Sequence, residues 1–310
     1  MSFVDLSVQV GPLRLKNPVL AASGTFGYGL ELAHLVDLNR LGGFVTKGLS
    51  LHPRAGNPPP RIHETPCGML NSIGLHNIGV EAFLREKLPE LRRFTCAVIA
   101  NVYGETPDDF VEVARRLADS EGLAAIEINV SCPNVSKGGL DLGTDPAEVR
   151  KLLERVRKVV RLPLWAKLTP NVTDIRTIAR AAIEGGADAL SLINSLRGVA
   201  VDADRRVPHL STVVGGLTGP AIKPVALFHV HQVARSFDVP IVGVGGISTG
   251  QDALEFLVAG ASAVQVGTAT FTRTDATLRI VKEIEAYVKK RKISSVSPMI
   301  RTLSIPERPQ

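Results

Sequence analysis

Two lysines and three asparagines follow short apolar runs in this sequence: Lys47, Lys167, Asn101, Asn129 and Asn194. An ammonium at the end of a buried segment is costly unless it meets an anion. The lysine pair therefore argues for an anionic ligand with two separate negative regions, or for two ligands. Either lysine alone could instead carry its charge to solvent on its long stem. Gly245-Gly246 and Gly267-Thr268 close two further apolar runs, where glycines let backbone N–H groups approach phosphate oxygens; tight turns would explain them equally well. Cys132, within Asn129-Val130-Ser131-Cys132-Pro133-Asn134, is a thiol on a loop, placed to react, although an inert buried thiol is the commoner fate of cysteine. That inert fate suits Cys96, inside an apolar run, and Cys67 has no neighbouring base or ligand.

These groups need elements to bring them together. Eight short apolar runs recur: Val19–Ala22, Phe44–Thr46, Ala97–Ala100, Ala125–Ile128, Leu164–Ala166, Ala189–Ile193, Ile241–Val244 and Ala263–Val266. Between and after them the spacing predicts helices over 30–39, 79–92, 107–120, 146–160, 174–184, 222–236, 249–259 and 275–290, with Ser248-Thr249 as an N-cap and Gly260 as a C-cap. Alternation of this kind implies parallel pairing, and eight units imply a closed (β/α)8 TIM barrel. Such a barrel carries its chemistry at the C-terminal ends of its strands. There Ser23, Lys47, Asn101, Asn129, Lys167 and Asn194 end strands one to six, and the glycines end strands seven and eight. Phe3–Val10 and Leu13–Lys16 flank Gly11-Pro12 as an N-terminal β-hairpin that would cover the opposite mouth. Long loops after strands two and six, Leu49–Asn77 and Ser195–Pro220, would build the site. Residues 1–290 read as one barrel domain and 291–310 as a tail, expected to be loosely ordered from Lys289 on.

Composition narrows the function classes. The chain has 310 residues, 45% hydrophobic and 21% charged, which excludes disorder and collagen. The net charge of +6 suggests nucleic acid only weakly, because one Trp and three Tyr leave little to stack on bases. Three widely spaced cysteines form no metal or redox motif and fit a reducing cytoplasm. The seven histidines show no metal spacing; His229 and His231 stand at i, i+2 on a helix, where side chains diverge. No apolar stretch approaches the roughly 20 residues of a membrane span, and the start lacks the pattern of a signal peptide, so a soluble protein is expected.

Over nearly its whole length the sequence resembles dihydroorotate dehydrogenase, a flavoprotein family of pyrimidine biosynthesis. The motifs are Ala21-Ala22-Ser23-Gly24, Thr46-Lys47-Gly48, Arg54-Ala55-Gly56-Asn57-Pro58, Gly68-Met69-Leu70-Asn71-Ser72-Ile73-Gly74-Leu75, Asn129–Asn134, Lys167-Leu168-Thr169-Pro170, Ile193-Asn194-Ser195 and Val244-Gly245-Gly246-Ile247. Thr65–Leu70 and Ile193–Val207 look most like class 1B, whose members pass electrons to NAD through a second subunit. Cys132 disfavours the membrane-bound class, which typically has serine there.

The resemblance implies FMN held by Ser23, Lys47, Gly48, Asn101, Asn129, Lys167, Ile193, Gly219, Gly245, Gly246, Gly267 and Thr268. It implies dihydroorotate or orotate held by Lys47, Asn71, Ser72, Ile73, Gly74, Leu75, Asn129, Asn134, Asn194 and Ser195. Asparagine offers donor and acceptor to the amide edges of a pyrimidine. Cys132 becomes the general base at carbon 5 while hydride leaves carbon 6, Lys47 favours the developing charge, and residues 131–144 form a lid. A partner subunit with FAD and a 2Fe–2S cluster, in a heterotetramer on a homodimeric core, is implied, since this chain has neither an iron–sulfur cysteine cluster nor a dinucleotide fingerprint. The tail departs from the family pattern from Ser297 on. The fumarate-linked class 1A is the nearest alternative. Dihydrouridine synthase would need an RNA-binding region after the barrel, dihydropyrimidine dehydrogenase has a far longer chain, and a phosphate-binding barrel without catalysis would not need Cys132.

Overall fold

The computed structural model describes residues 4–131 and 142–305. Eight parallel strands close a barrel: β3 (Val19–Ala21), β4 (Gly43–Val45), β7 (Ala97–Val102), β8 (Ala125–Asn129), β9 (Leu164–Lys167), β10 (Ala189–Leu192), β15 (Ile241–Val244) and β16 (Ala263–Val266). Closure is made by β16 against β3, with Val264 opposite Val19. Most of these strands are buried along their whole length, as strands covered on both sides must be, which is why they read as apolar runs without alternation. All eight expected strands are present, with ends displaced by a residue or two.

Helices α3 (Pro107–Ala118) and α4 (Pro146–Val159) show how the outer ring packs. Phe110, Val113, Ala114 and Leu117, and Val149, Leu152, Leu153 and Val156, repeat at i, i+3, i+4, i+7 and are buried on the barrel. A capping box of Thr106 with Asp109 starts α3. The other outer helices are α5 (Ile175–Glu184), α6 (Lys223–Ser236), α7 (Gly250–Ala259) and α9 (Ala276–Lys290). Thr249 and Asp252 form a capping box on α7, which Gly260 ends. The expected helix at 79–92 is α1 (Val80–Ala82) continued through a π-helical turn (Phe83–Lys87) into α2 (Leu88–Leu91). The short α8 (Ala269–Thr272) follows β16. No helix among the described residues is long and apolar enough to cross a membrane.

Two expectations need correction, the helix at 30–39 and the loosely ordered tail. The segment 30–39 is not an α-helix but two 3-10 turns, Leu30–Leu32 and Leu38–Arg40. Glu31 reaches back to accept the Tyr28 N–H, and Asp37 accepts the Asn39 N–H, a donor that a helix over 30–39 would need. The two long loops carry strands of their own. β5 (Ile62–Thr65), β6 (Gly68–Asn71), β14 (Val214–Thr218) and β11 (Leu196–Val199) form one antiparallel sheet, in which β6 pairs β14 across the two excursions; β12 (Val201–Asp202) and β13 (Val207–Pro208) form a small ribbon. Glycine-rich composition hides such pairing, because partners so distant leave no local period. The tail is hydrogen-bonded to the barrel as far as Leu303. Arg301 and Leu303 N–H groups donate to Leu257 and Val258, and Val296 is wholly buried.

The N-terminal hairpin, β1 (Val8–Val10) with β2 (Leu13–Leu15), lies at the N-terminal mouth. Gly11 sits at φ +58, with a Cβ there falling 3.1 Å from the Asp188 carbonyl just before β10. Asp5 exchanges backbone hydrogen bonds with Ser294 and Val296, tying the tail to this end.

Candidate active site

A cavity of about 760 Å³ opens at the C-terminal ends of the strands, roofed by the four-stranded sheet, and falls within the usual range for small-molecule sites. Nineteen of the twenty-one candidate residues line it: Ser23, Lys47, Gly48, Asn71, Ser72, Ile73, Gly74, Leu75, Asn101, Asn129, Lys167, Ile193, Asn194, Ser195, Gly219, Gly245, Gly246, Gly267 and Thr268. Cys132 and Asn134 lie outside the described residues, as does most of the 131–144 segment expected to act as a lid. Ser131, beside Cys132, is buried and donates through Oγ to the Lys167 carbonyl at 2.7 Å.

The cavity has two halves of different material. One is made of side chains. Asn129 Oδ1 accepts from Asn194 Nδ2 at 3.2 Å, while Asn194 Oδ1 accepts the Ser195 N–H at 2.8 Å. Lys167 is 7% exposed, and neither it nor Lys47 forms an ion pair with a described carboxylate. Burial pushes the Lys47 ammonium below the usual lysine range, the Arg61 guanidinium pushes it further, and Glu31 opposes both. Two unneutralised cations at one cavity fit an anionic ligand. Asn101 is 1% exposed and its Oδ1 is buried without a partner among the described residues, 3.0 Å from where a Cβ on Gly48 would sit.

The other half is backbone. Gly245 and Gly246 lie at φ +131 and +74, and a Cβ on Gly246 would fall 2.8 Å from the Lys223 nitrogen and 2.9 Å from the Gly219 carbonyl oxygen. Only glycine fits that cradle. With Gly267 and Thr268, at the start of α8, it forms a concavity of backbone groups suited to a phosphate. A ring system with a phosphate arm matches this division.

The substrate candidates 71–75 are held from behind. Asn77 donates to the Leu75 carbonyl at 2.7 Å and accepts from Gly79 N–H at 2.8 Å. Leu75 itself sits at φ +57, a left-handed conformation uncommon for a leucine and therefore strained. Asn57 lends Nδ2 to the Ser72 carbonyl and its backbone N–H to Ile73. Asn171 spans Thr169, Ser195 and the Arg197 N–H, fixing the start of β11.

Asn57, Arg61, His76, Asn171, Gly215 and Gly216 line the cavity and were not among the sequence candidates. Asn171, four residues past Lys167, had a signal in its position after a strand. Arg61, His76 and the glycine pair had none, because only the sheet between the excursions brings them in. Cys67 is exposed in the β5–β6 turn, whereas Cys96, one residue before β7, is buried with its thiol pushed up to about 11 by burial. Among the described residues no group of three His, Cys, Asp or Glu side chains could hold a metal ion.

Comparison with known proteins meets this geometry. A family model described as dihydroorotate dehydrogenase matches residues 5–288. The chain belongs to the dihydroorotate dehydrogenase family. It is 53% identical over 301 residues to a protein of Citrifermentans bemidjiense named dihydroorotate dehydrogenase B (NAD(+)), catalytic subunit, covering 97% of this chain and 99% of that one. Proteins of the same name from Maridesulfovibrio salexigens and Solidesulfovibrio magneticus are 52% and 57% identical, covering 98% and 91% of this chain and 100% and 92% of theirs. Membership makes this a flavin-dependent oxidoreductase family with a TIM barrel, and the relatives' shared name implies that they work beside another subunit.

Proposed function

We propose that this chain oxidises (S)-dihydroorotate to orotate in pyrimidine biosynthesis, with FMN in the barrel and electrons passed to NAD through a cytoplasmic partner subunit carrying FAD and a 2Fe–2S cluster. The observation that carries this is the meeting, in one cavity, of two unneutralised lysines, an asparagine cluster and a glycine cradle, in a chain about half identical to proteins named for that reaction. FMN, when bound, supplies the acceptor for the hydride leaving carbon 6.

The remaining work falls to the chain. Backbone N–H groups of the Gly245-Gly246 and Thr268 turns hold the phosphate. Asn71, Asn129 and Asn194 meet the amide edges of the pyrimidine, and Lys47 faces negative charge as it develops. Cys132, by its family role, takes the proton from carbon 5. The pKa of a free cysteine, about 8.5, lies near working pH, as general-base chemistry requires. Roofing by the β11–β14–β6–β5 sheet limits water around these groups.

Anaerobic stopped-flow absorbance tests the proposal. Dihydroorotate is expected to bleach the bound flavin, and NAD to restore its colour only when the partner subunit is present. Recovery with fumarate alone would reassign the acceptor, and a flavin that dihydroorotate leaves oxidised would overturn the substrate.

A further inference from the structure

Beneath the cavity, inside the barrel, lies a carboxyl group with no place in the reaction described above. Glu127 on β8 is wholly buried. Its Oε1 accepts from Asn101 Nδ2 at 2.7 Å; its Oε2 accepts from Ser191 Oγ at 2.6 Å and Gln265 Nε2 at 2.7 Å. Strands β7, β10 and β16 thus each send one donor to a side chain of β8. Among the described residues no lysine or arginine pairs with it. Apolar side chains of similar volume would hold the strands together at no such desolvation cost, so the arrangement points to a role beyond packing.

That role follows from the two ends of the Asn101 amide. Glu127 Oε1 accepts from Asn101 Nδ2, so the donor end of the amide is turned toward the carboxyl and its acceptor end away from it. Its Oδ1 is thereby aimed away, buried and unpartnered among the described residues, beside Gly48 at the cavity floor. We propose that Glu127 is a positioning residue, which holds the Asn101 amide so that it presents an obligate acceptor to a ring N–H of the bound ligand. The inference rests on the FMN reading above. Flavin and pyrimidine both carry ring N–H groups, and the experiment separates them.

Apoprotein is titrated with FMN, following flavin fluorescence and the visible absorption bands, and the holoprotein is then titrated with orotate. Glu127→Gln and Asn101→Ala are each expected to weaken FMN binding at least tenfold and to shift the flavin bands, and the double variant to bind within twofold of Asn101→Ala alone. Such non-additivity marks two residues acting as one unit, which a merely structural loss would not produce. The same pattern in the orotate titration, with FMN unchanged, supports the positioning role with substrate as the ligand. The proposal is overturned if Glu127→Gln changes neither titration, or if its effect persists in full beside Asn101→Ala.

Circular dichroism checks the fold of each variant. Should Glu127→Gln not fold, the swap of Asn101→Asp with Glu127→Gln takes its place, because it reverses donor and acceptor and keeps the charge of the pair. Recovery over Asn101→Asp alone supports the proposal, and no recovery overturns it. Wild-type protein that takes up no FMN would fail at the first titration, overturning the cofactor reading separately from any comparison of variants.

Discussion

Asn17 and Asn101 are both buried asparagines at barrel mouths, one at each end, and they are used differently. Asn17, before β3, accepts from the Val19 and Gly42 N–H groups and donates to the Arg40 carbonyl, so both ends of its amide are committed to the backbone. Asn101, at the far end of β7, commits only Nδ2 and leaves Oδ1 without a partner among the described residues. The same contrast holds for charge. Asp188 at the N-terminal mouth is paired with Arg157 and the Leu164 N–H, while Lys47 and Lys167 at the C-terminal mouth pair with no carboxylate among the described residues. Polar groups that close their own hydrogen bonds hold a fold together; groups left open at a buried surface hold a ligand.

Substitutions at the open end should therefore cost chemistry or binding, and those at the closed end stability alone. The largest effect is expected from Cys132→Ala, which removes the proposed base. Flavin reduction by dihydroorotate in stopped flow should slow by roughly 100- to 10,000-fold, with FMN and orotate still bound. Near-normal reduction would remove Cys132 from that role. Next comes Gly246→Ala, whose added Cβ has no room at φ +74. FMN titration should show binding weakened on the order of 100-fold, from about 2–3 kcal/mol of strain and crowding. Asn17→Ala is the closed-end counterpart. It should lose about 2 kcal/mol of stability in a denaturant melt, by leaving backbone donors unpaired, while kcat/KM stays at the wild-type value. A drop in kcat/KM as large as the loss of stability would break the contrast between the ends.

How legible this was depends on whether a signal is local. The barrel strands announced themselves because burial on both faces makes each an unbroken apolar run, and strand ends gave Lys47, Asn101 and Lys167 their address. The mouth sheet did not, since β6 meets β14 across about 145 residues of sequence, as the Asn71–Gly216 hydrogen bond shows. Arg61 and His76 reach the cavity only through that pairing, and so were missed. Packing of the tail was hidden for the same reason: Val296 answers to Asp5 at the other end of the chain. Glu127 reads in the sequence as a lone charge within Ala125–Asn129, with nothing to say that three donors wait for it.

The smallest effect expected at the open end is a displacement along the pH axis. Lys47 keeps its charge below its pKa and loses it as pH rises through that value. Burial and the Arg61 guanidinium lower the value from 10.5, so charge is lost earlier on the alkaline side than for an ordinary lysine. An anion at the site binds the charged form, so orotate affinity should be full near neutral pH and begin to fall below pH 10.5. Arg61→Met removes one of the two causes of the lowering. The onset of the fall should then move to higher pH without reaching that of an ordinary lysine, because burial, the larger cause, remains. Titrations of wild type and variant across pH 7–10.5 share any ionisation of the ligand itself, so the displacement between the curves isolates the lysine. Coincident curves would mean that Lys47 does not carry the pH dependence, and an onset moved downward would mean that Arg61 acts on the ligand and not through Lys47.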